Sequence, residues 1–330
     1  MPTRPMAVLF LVALLVAACG DATGAGTDDG IEPAPTTSTT VTPEETGDAP
    51  PTTSEDGAST SAVADDRQPV VDVAWIADGA NPHVLVDARN AAGFDTGHII
   101  GARHLDASVL NTAGPVPYQL GDAEHVAAAL GAAGLTADDT IVLYDADGSL
   151  YAARVYWALR VYGHADVRIL DGGLAAWRAA GGGIATEPTD VVASTIYEIG
   201  TPQPSLRLEL DEVQAAIGVA SFADARSVGE FDGTVDLGTD VSGHIPGAGN
   251  VDYLETIDDD GTFLPTEELR ALYEGAGVLP EDDIVTYCLV GARAAHAWFV
   301  LSELLGYPSV ALYDGSWQEY GNTAGVLVES

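Results

Sequence analysis

The chain is predicted to be an α/β protein with two tandem domains, each an open parallel sheet flanked by helices. Three observations predict it. Short, continuously apolar runs at residues 83–87 (HVLVD), 140–144 (TIVLY) and 167–170 (VRIL) suit strands buried on both faces of a parallel sheet. Between them lie stretches with helical spacing of apolar side chains, such as Ala152, Val155, Tyr156 and Leu159, and this alternation argues for an open α/β sheet. The third is an internal repeat. Residues 141–172 align without a gap on 284–315 at a constant offset of 143, so Tyr144 meets Tyr287, Gly163 meets Gly306, and Asp171-Gly172 meets Asp314-Gly315. Earlier in each copy, VLVDARNAAGFDTGHIIGA returns as FADARSVGEFDG, nine further residues (234–242) and GHIPGA.

Taken from the N-terminus of the 330 residues, Arg4 precedes an apolar run, 7–18, that is too short to span a bilayer comfortably. It ends Leu15-Val16-Ala17-Ala18-Cys19, so residues 1–19 read as a signal peptide with a lipobox-like end at which Cys19 is lipidated. Residues 20–67 are rich in Thr, Ser, Pro, Gly, Asp and Glu and lack apolar periodicity, the composition of a disordered tether. The first domain is expected over 68–183, a polar, Pro-containing linker over 184–205, and the second domain over 206–330. The expected product is exported, monomeric, and held to the outer face of the cell membrane by its N-terminal lipid alone.

Fifty acidic residues stand against 12 basic ones, every one of them Arg, for a net charge of -38. Such a chain repels polyanions, which excludes nucleic acid as a partner. Cys19 and Cys288 are the two cysteines and sit in unrelated contexts, so neither a structural disulfide nor a zinc-type cluster is expected. No metal and no organic cofactor are expected either.

At one position the two copies differ in chemistry: Asp145 stands where Cys288 stands. Residues 284–293 (IVTYCLVGAR) read as a strand, a tight loop and the start of a helix over 294–305. Ligands of open α/β sheets bind at the carboxyl ends of strands. Successive loop amides, reinforced by the positive end of a following helix, can hold an anion there. That setting suits a thiolate, the form of cysteine that attacks sulfur.

With the Asp-Ala-Arg strand ends (Asp87 to Arg89, Asp224 to Arg226), the Gly-His-Ile-x-Gly-Ala turns (97–102 and 243–248) and the stretch YDGSWQEYGN from Tyr313, the sequence resembles the rhodanese superfamily. The likeness is to the tandem thiosulfate or 3-mercaptopyruvate sulfurtransferases and covers residues 69–325. It implies an inert first repeat packed over the mouth of an active second one. Carried over position by position, it implies that Cys288 carries sulfur, that Leu289, Val290, Gly291, Ala292 and Arg293 form the donor-binding loop, and that Arg226 holds the anionic donor. Asp87, His98 and Asp145 become candidates for the interface between repeats. The implied reaction moves a sulfane sulfur from thiosulfate, or 3-mercaptopyruvate, through a Cys288 persulfide to cyanide or a thiol acceptor. The loop departs from both the Cys-Gly-Ser/Thr-Gly-Val-Thr and the Cys-Arg-Lys-Gly-Val-Thr forms of the family. Because it carries Arg293 and lacks a hydroxyl residue after the glycine, thiosulfate, a compact dianion, is expected to be the better donor. The acidic insertion 234–242 is expected close to the site.

Two other classes compete. Phosphatases and arsenate reductases use a loop one residue longer from cysteine to arginine than 288–293, which disfavours them. A non-catalytic extracellular binding or sulfur-sensing module fits the tether and the cysteine-free first repeat, but retention of the whole loop argues against it. Elsewhere, His98 and His244 read as turn residues, His296 as packed, and Asp171 and Asp314 as turn or capping residues.

Overall fold

The computed structural model describes residues 68–114, 116–187 and 192–330. Cys19, the predicted signal peptide and the predicted tether lie outside them. The first sheet has five strands, β1 (Val70–Val71), β2 (Val84–Asp87), β3 (Arg103–His104), β4 (Ile141–Tyr144) and β5 (Val167–Leu170), in the order β1-β5-β4-β2-β3. The second has β6 (Arg207–Leu208), β7 (Ser221–Asp224), β8 (Gly249–Asn250), β9 (Ile284–Tyr287) and β10 (Val310–Tyr313), in the order β6-β10-β9-β7-β8. Every pairing within these sheets is parallel. The register repeats as well, with Asp87 opposite Tyr144 and Asp224 opposite Tyr287. Two parallel sheets flanked by helices are the architecture that the apolar runs and the repeat predict.

Parallel strands require crossover connections, and here helices supply them on both faces. Two of these, α1 (Leu150–Val161) after β4 and α2 (Ala292–Phe299) after β9, pack against one another across the repeats. The ring of Tyr156 meets that of Phe299, its counterpart at the 143-residue offset, edge-on at 4.7 Å. One continuous apolar core therefore runs from Val86 and Leu143 through Val155 and Leu159 to Trp298, Phe299 and Leu312. Helix α2 differs from its predicted span of 294–305. It starts two residues earlier, directly after the turn at Gly291, and gives way to a π-helical turn at Val300–Leu304.

A reciprocal pair of hydrogen bonds pins the repeats together. The Leu120 amide of the first repeat donates to Asp314 Oδ2 at 2.7 Å, and the Phe263 amide of the second donates to Asp171 Oδ1 at 3.0 Å. Leu120 and Phe263 are 143 residues apart, as are Asp171 and Asp314. The two aspartates that read as turn residues thus clasp one repeat onto the other. Residues 192–203 of the predicted linker lie along the first repeat, where the Thr195 amide donates to Gly131 O at 2.9 Å and the Gln203 amide to Val161 O at 2.8 Å. Tyr197 is buried there, with its hydroxyl 2.6 Å from His164 Nδ1. Among the described residues no helix is long and apolar enough to cross a membrane.

Candidate active site

Cys288 follows the last residue of β9 and is 1% exposed. Its Sγ accepts the Gly291 amide at 3.1 Å, which closes a tight loop over Leu289 and Val290. Gly291 has φ +87, a conformation that costs an L side chain energy and that lets the chain reverse straight into α2. A second element grips the loop from behind. The Cys288 amide donates to Ser316 Oγ at 3.2 Å, while the amides of Trp317 and Gln318 donate to Cys288 O and Leu289 O, both at 2.9 Å. Leu289, Val290, Ala292 and Arg293 are half-buried and form the rim. The first amides of α2 have no preceding helical carbonyl to bond, so they remain available to an anion at the sulfur.

The first repeat shows what such a loop can hold. Asp145, in the place of Cys288, accepts four amides: those of Asp147 at 2.9 Å and Ser149 at 3.0 Å on Oδ1, and those of Tyr151 at 2.7 Å and Ala152 at 3.0 Å on Oδ2. The loop is an anion nest filled by its own carboxylate. The repeat sets Val290, Ala292, Ala294 and Ala295 at the matching positions around Cys288; the Ala295 amide is already bonded to Gly291 O at 3.0 Å. A cavity of about 190 Å³ beside Asp145 is lined by Ser149, Gly172 and Gly173 of the first repeat and by Asp259, Asp260 and Gly261 of the second. Asp145 therefore does lie where the repeats meet.

Arg293, the last residue of the loop that Cys288 opens, lies within electrostatic reach of the sulfur. Its guanidinium is already engaged. Nη1 and Nη2 donate to Glu230 Oε2 at 2.6 Å and Oε1 at 2.8 Å, a fork-to-fork pair. Burial alone would raise the Glu230 pKa, but Arg293, and Ser227 through its amide and hydroxyl, outweigh it and hold the carboxyl at about 2. Asp252 and Tyr253 lie within electrostatic reach of Arg293. Burial, then the charges of Glu230 and Asp224, push Asp252 up, against the pull of its own bond from the Leu254 amide and of Arg293.

Three assignments implied by the resemblance need correction. Arg226 is fully buried, donates to Asp224 through Nε and Nη2 and to Gly243 O at 2.8 Å, and lies over the Trp317 ring at 4.5 Å. A donor cannot reach it without opening the core. Arg89 makes the same contacts in the cysteine-free repeat, to Asp87 and to Gly97 O at 2.9 Å, so the pair braces the fold in both copies. Asp87 is thereby occupied inside the first repeat and not at the interface. His98 is buried there too, stacked on Phe94 at 3.7 Å with Nδ1 3.1 Å from Phe94 O, and His244 repeats this on Phe231. The insertion 234–242 docks on the C-terminal segment behind the loop, with Trp317 Nε1 donating to Thr239 Oγ1 at 3.2 Å and the Val241 amide to Gly321 O at 3.0 Å.

Four residues of the site were not singled out as such from sequence: Glu230, Ser316, Arg154 and Asp314. The last two form an ion pair between repeats, Arg154 Nη1 to Asp314 Oδ1 at 2.7 Å, nearly inaccessible to water. A Cβ added at Gly291 would sit 2.9 Å from that Oδ1 and 3.1 Å from that Nη1. The amide that bonds Cys288 Sγ thus belongs to a residue resting on an ion pair half supplied by the first repeat. Such an assembly can hold a small covalently attached group on sulfur and stabilise its negative charge with fixed amides.

The model of the rhodanese-like domain matches twice, at residues 72–180 and 208–323. A Mycolicibacterium smegmatis protein with the provisional name thiosulfate sulfurtransferase is 40% identical over 253 residues, covering 74% of this chain and 90% of that one. The sulfur carrier protein TtuD of Thermus thermophilus is 38% identical over 247 residues, covering 71% and 86%. Among solved structures, the anaerobic ergothioneine biosynthesis enzyme from Chlorobium limicola, in complex with trimethyl histidine, superposes with a TM-score of 0.71 at 26% identity, covering 80% and 70%.

Proposed function

Because this chain belongs to the rhodanese family in its tandem form, and is a sulfurtransferase of that family, we propose that it carries the transferred sulfur on Cys288 as a persulfide. The observation behind this is the pairing of Cys288 with Asp145: one loop architecture holds a carboxylate on its amides in one repeat and a nucleophile in the other. In the first step the Cys288 thiolate attacks the outer sulfur of thiosulfate, or the thiol sulfur of 3-mercaptopyruvate, whose carbon–sulfur bond then breaks as the enolate of pyruvate leaves with the electron pair and takes up a proton. With thiosulfate, the sulfur–sulfur bond breaks, sulfite leaves with the electron pair, and Cys288 keeps the outer sulfur as a persulfide anion. In the second step cyanide or a thiolate attacks that terminal sulfur, and the Cys288 thiolate departs. The loop amides and the head of α2 stabilise the anionic sulfur in both states.

The first repeat then acts as a buttress, because Asp145 can carry no sulfane sulfur. We further propose export and lipid attachment at Cys19, on the lipobox-like Leu15 to Cys19. Thiocyanate formation from thiosulfate and cyanide tests the catalytic reading. Wild-type protein turns over and Cys288→Ser does not; turnover by Cys288→Ser would remove Cys288 from the mechanism.

A further inference from the structure

Resting on that sulfur-carrier reading, we infer that Glu230 is a specificity-determining residue: it neutralises Arg293, the cation at the end of the Cys288 loop, and so turns the site away from compact dianions toward monoanionic α-keto mercapto acids, whose carbon–sulfur bond can break because an enolate leaves with the electron pair. Both carboxylate oxygens of Glu230 face both terminal nitrogens of Arg293, the edge a sulfonate-like donor would use. Glu230 is fixed in place. Its Oε2 also accepts the Ser227 amide at 3.0 Å and the Ser227 hydroxyl at 2.7 Å, in a capping box at the start of the Val228–Phe231 helix. A donor oxygen must therefore displace a carboxylate held by four contacts before it reaches the guanidinium.

Among the described residues no other cation is placed to take over. Arg226, four positions before Glu230, is committed to Asp224, and Arg154 to Asp314. Asp252 adds a second carboxylate within reach of Arg293. A dianion entering this mouth meets the Glu230 carboxylate without a free positive partner among the described residues, whereas a monoanion whose reacting sulfur is remote from its charge meets less repulsion. This reverses the donor preference expected from Arg293 alone.

The test compares kcat/KM for thiosulfate and for 3-mercaptopyruvate, with cyanide as acceptor, in wild type, Glu230→Gln and Glu230→Asp. Glutamine keeps the helix cap while removing the charge. Glu230→Gln is expected to raise kcat/KM for thiosulfate about tenfold, chiefly through KM, as loss of one unit charge near an anion implies. Its kcat/KM for 3-mercaptopyruvate should move much less, and Glu230→Asp should keep the wild-type ratio between donors. An unchanged ratio in Glu230→Gln, or an equal fall with both donors, overturns the role of Glu230. Mass spectrometry of the Cys288 peptide separates this from failure of the underlying reading: no persulfide from either donor in wild type overturns both, whereas a persulfide with an unchanged ratio overturns only the specificity.

Discussion

Asp145 and Cys288 occupy one position in two copies of one loop, yet the carboxylate of Asp145 accepts four backbone amides and Cys288 Sγ accepts one, from Gly291. The first loop is satisfied by its own side chain. The second leaves amides at the head of α2 open to an anion at the sulfur. This difference makes Asp145 a structural residue whose removal strands buried donors. Asp145→Asn places an amide NH₂ against donating N–H groups and should cost about 1.5–3 kcal/mol of stability, the range for hydrogen bonds to a charged group. Urea unfolding reads this as a lower midpoint with an unchanged slope; an unchanged midpoint would mean the four contacts contribute nothing net.

The ion pair of Arg154 with Asp314 links repeat packing to loop geometry. Arg154→Met leaves the buried Asp314 carboxylate with only the more distant Arg207, whose Nη2 lies 3.8 Å from Oδ2, and the cost should approach the roughly 3–5 kcal/mol of breaking a buried pair. Sulfur transfer should fall as well, because Gly291 rests on the pair. The double variant Arg154→Met, Asp314→Leu should recover part of the stability and little of the activity, as followed by thermal melts and thiocyanate assay on the same samples. Full recovery of both would detach the pair from the loop.

His296 gives the fold an acid sensitivity. It is fully buried between Thr256 Oγ1, 2.7 Å from Nε2, and the rings of Tyr253 and Phe263, and burial pushes its pKa down to about 4. The unfolded chain binds a proton near pH 6.5 and the folded one near pH 4. Stability from this group is therefore complete above the unfolded value, declines as pH falls through that window, and levels off below about 4. The loss is on the order of 3 kcal/mol. His296→Gln should flatten the decline in urea midpoints between pH 6.5 and 4, and an equally steep decline in the variant would assign it to other groups.

Much of this was legible in the sequence because the repeat is. A fixed offset carries strand ends, register and the Asp145 to Cys288 exchange at once, and continuous apolar runs identify β2, β4, β5 and β9 without ambiguity. The misassigned residues share a cause. Asp224-Ala225-Arg226 recurs as Asp87-Ala88-Arg89 in a repeat with no cysteine, and a motif present in both copies serves the fold they share before it serves chemistry only one performs. Glu230 carried a readable signal, Ser227-x-x-Glu230, but that pattern announces a helix cap. Its second partner, Arg293, lies 63 residues away, and no local pattern joins them. Asp314 reads as a turn residue because Arg154, which gives it a different role, sits in the other repeat.

At the other end of the chain, lipid attachment at Cys19 predicts that wild-type protein sediments with membranes and partitions into detergent. Cys19→Ala should be released as soluble protein. A free, unmodified Cys19 thiol in the mature chain would end the proposal of a lipid anchor.

Intact and peptide mass spectrometry of the protein after brief exposure to thiosulfate, without an acceptor, tests the Cys288 persulfide most directly. Sulfur transfer through Cys288 predicts a gain of one sulfur atom on the peptide that contains Cys288, its removal by cyanide with release of thiocyanate, and its absence from Cys288→Ser at unchanged thermal stability. A wild-type Cys288 peptide that gains no sulfur while the protein still forms thiocyanate would contradict it.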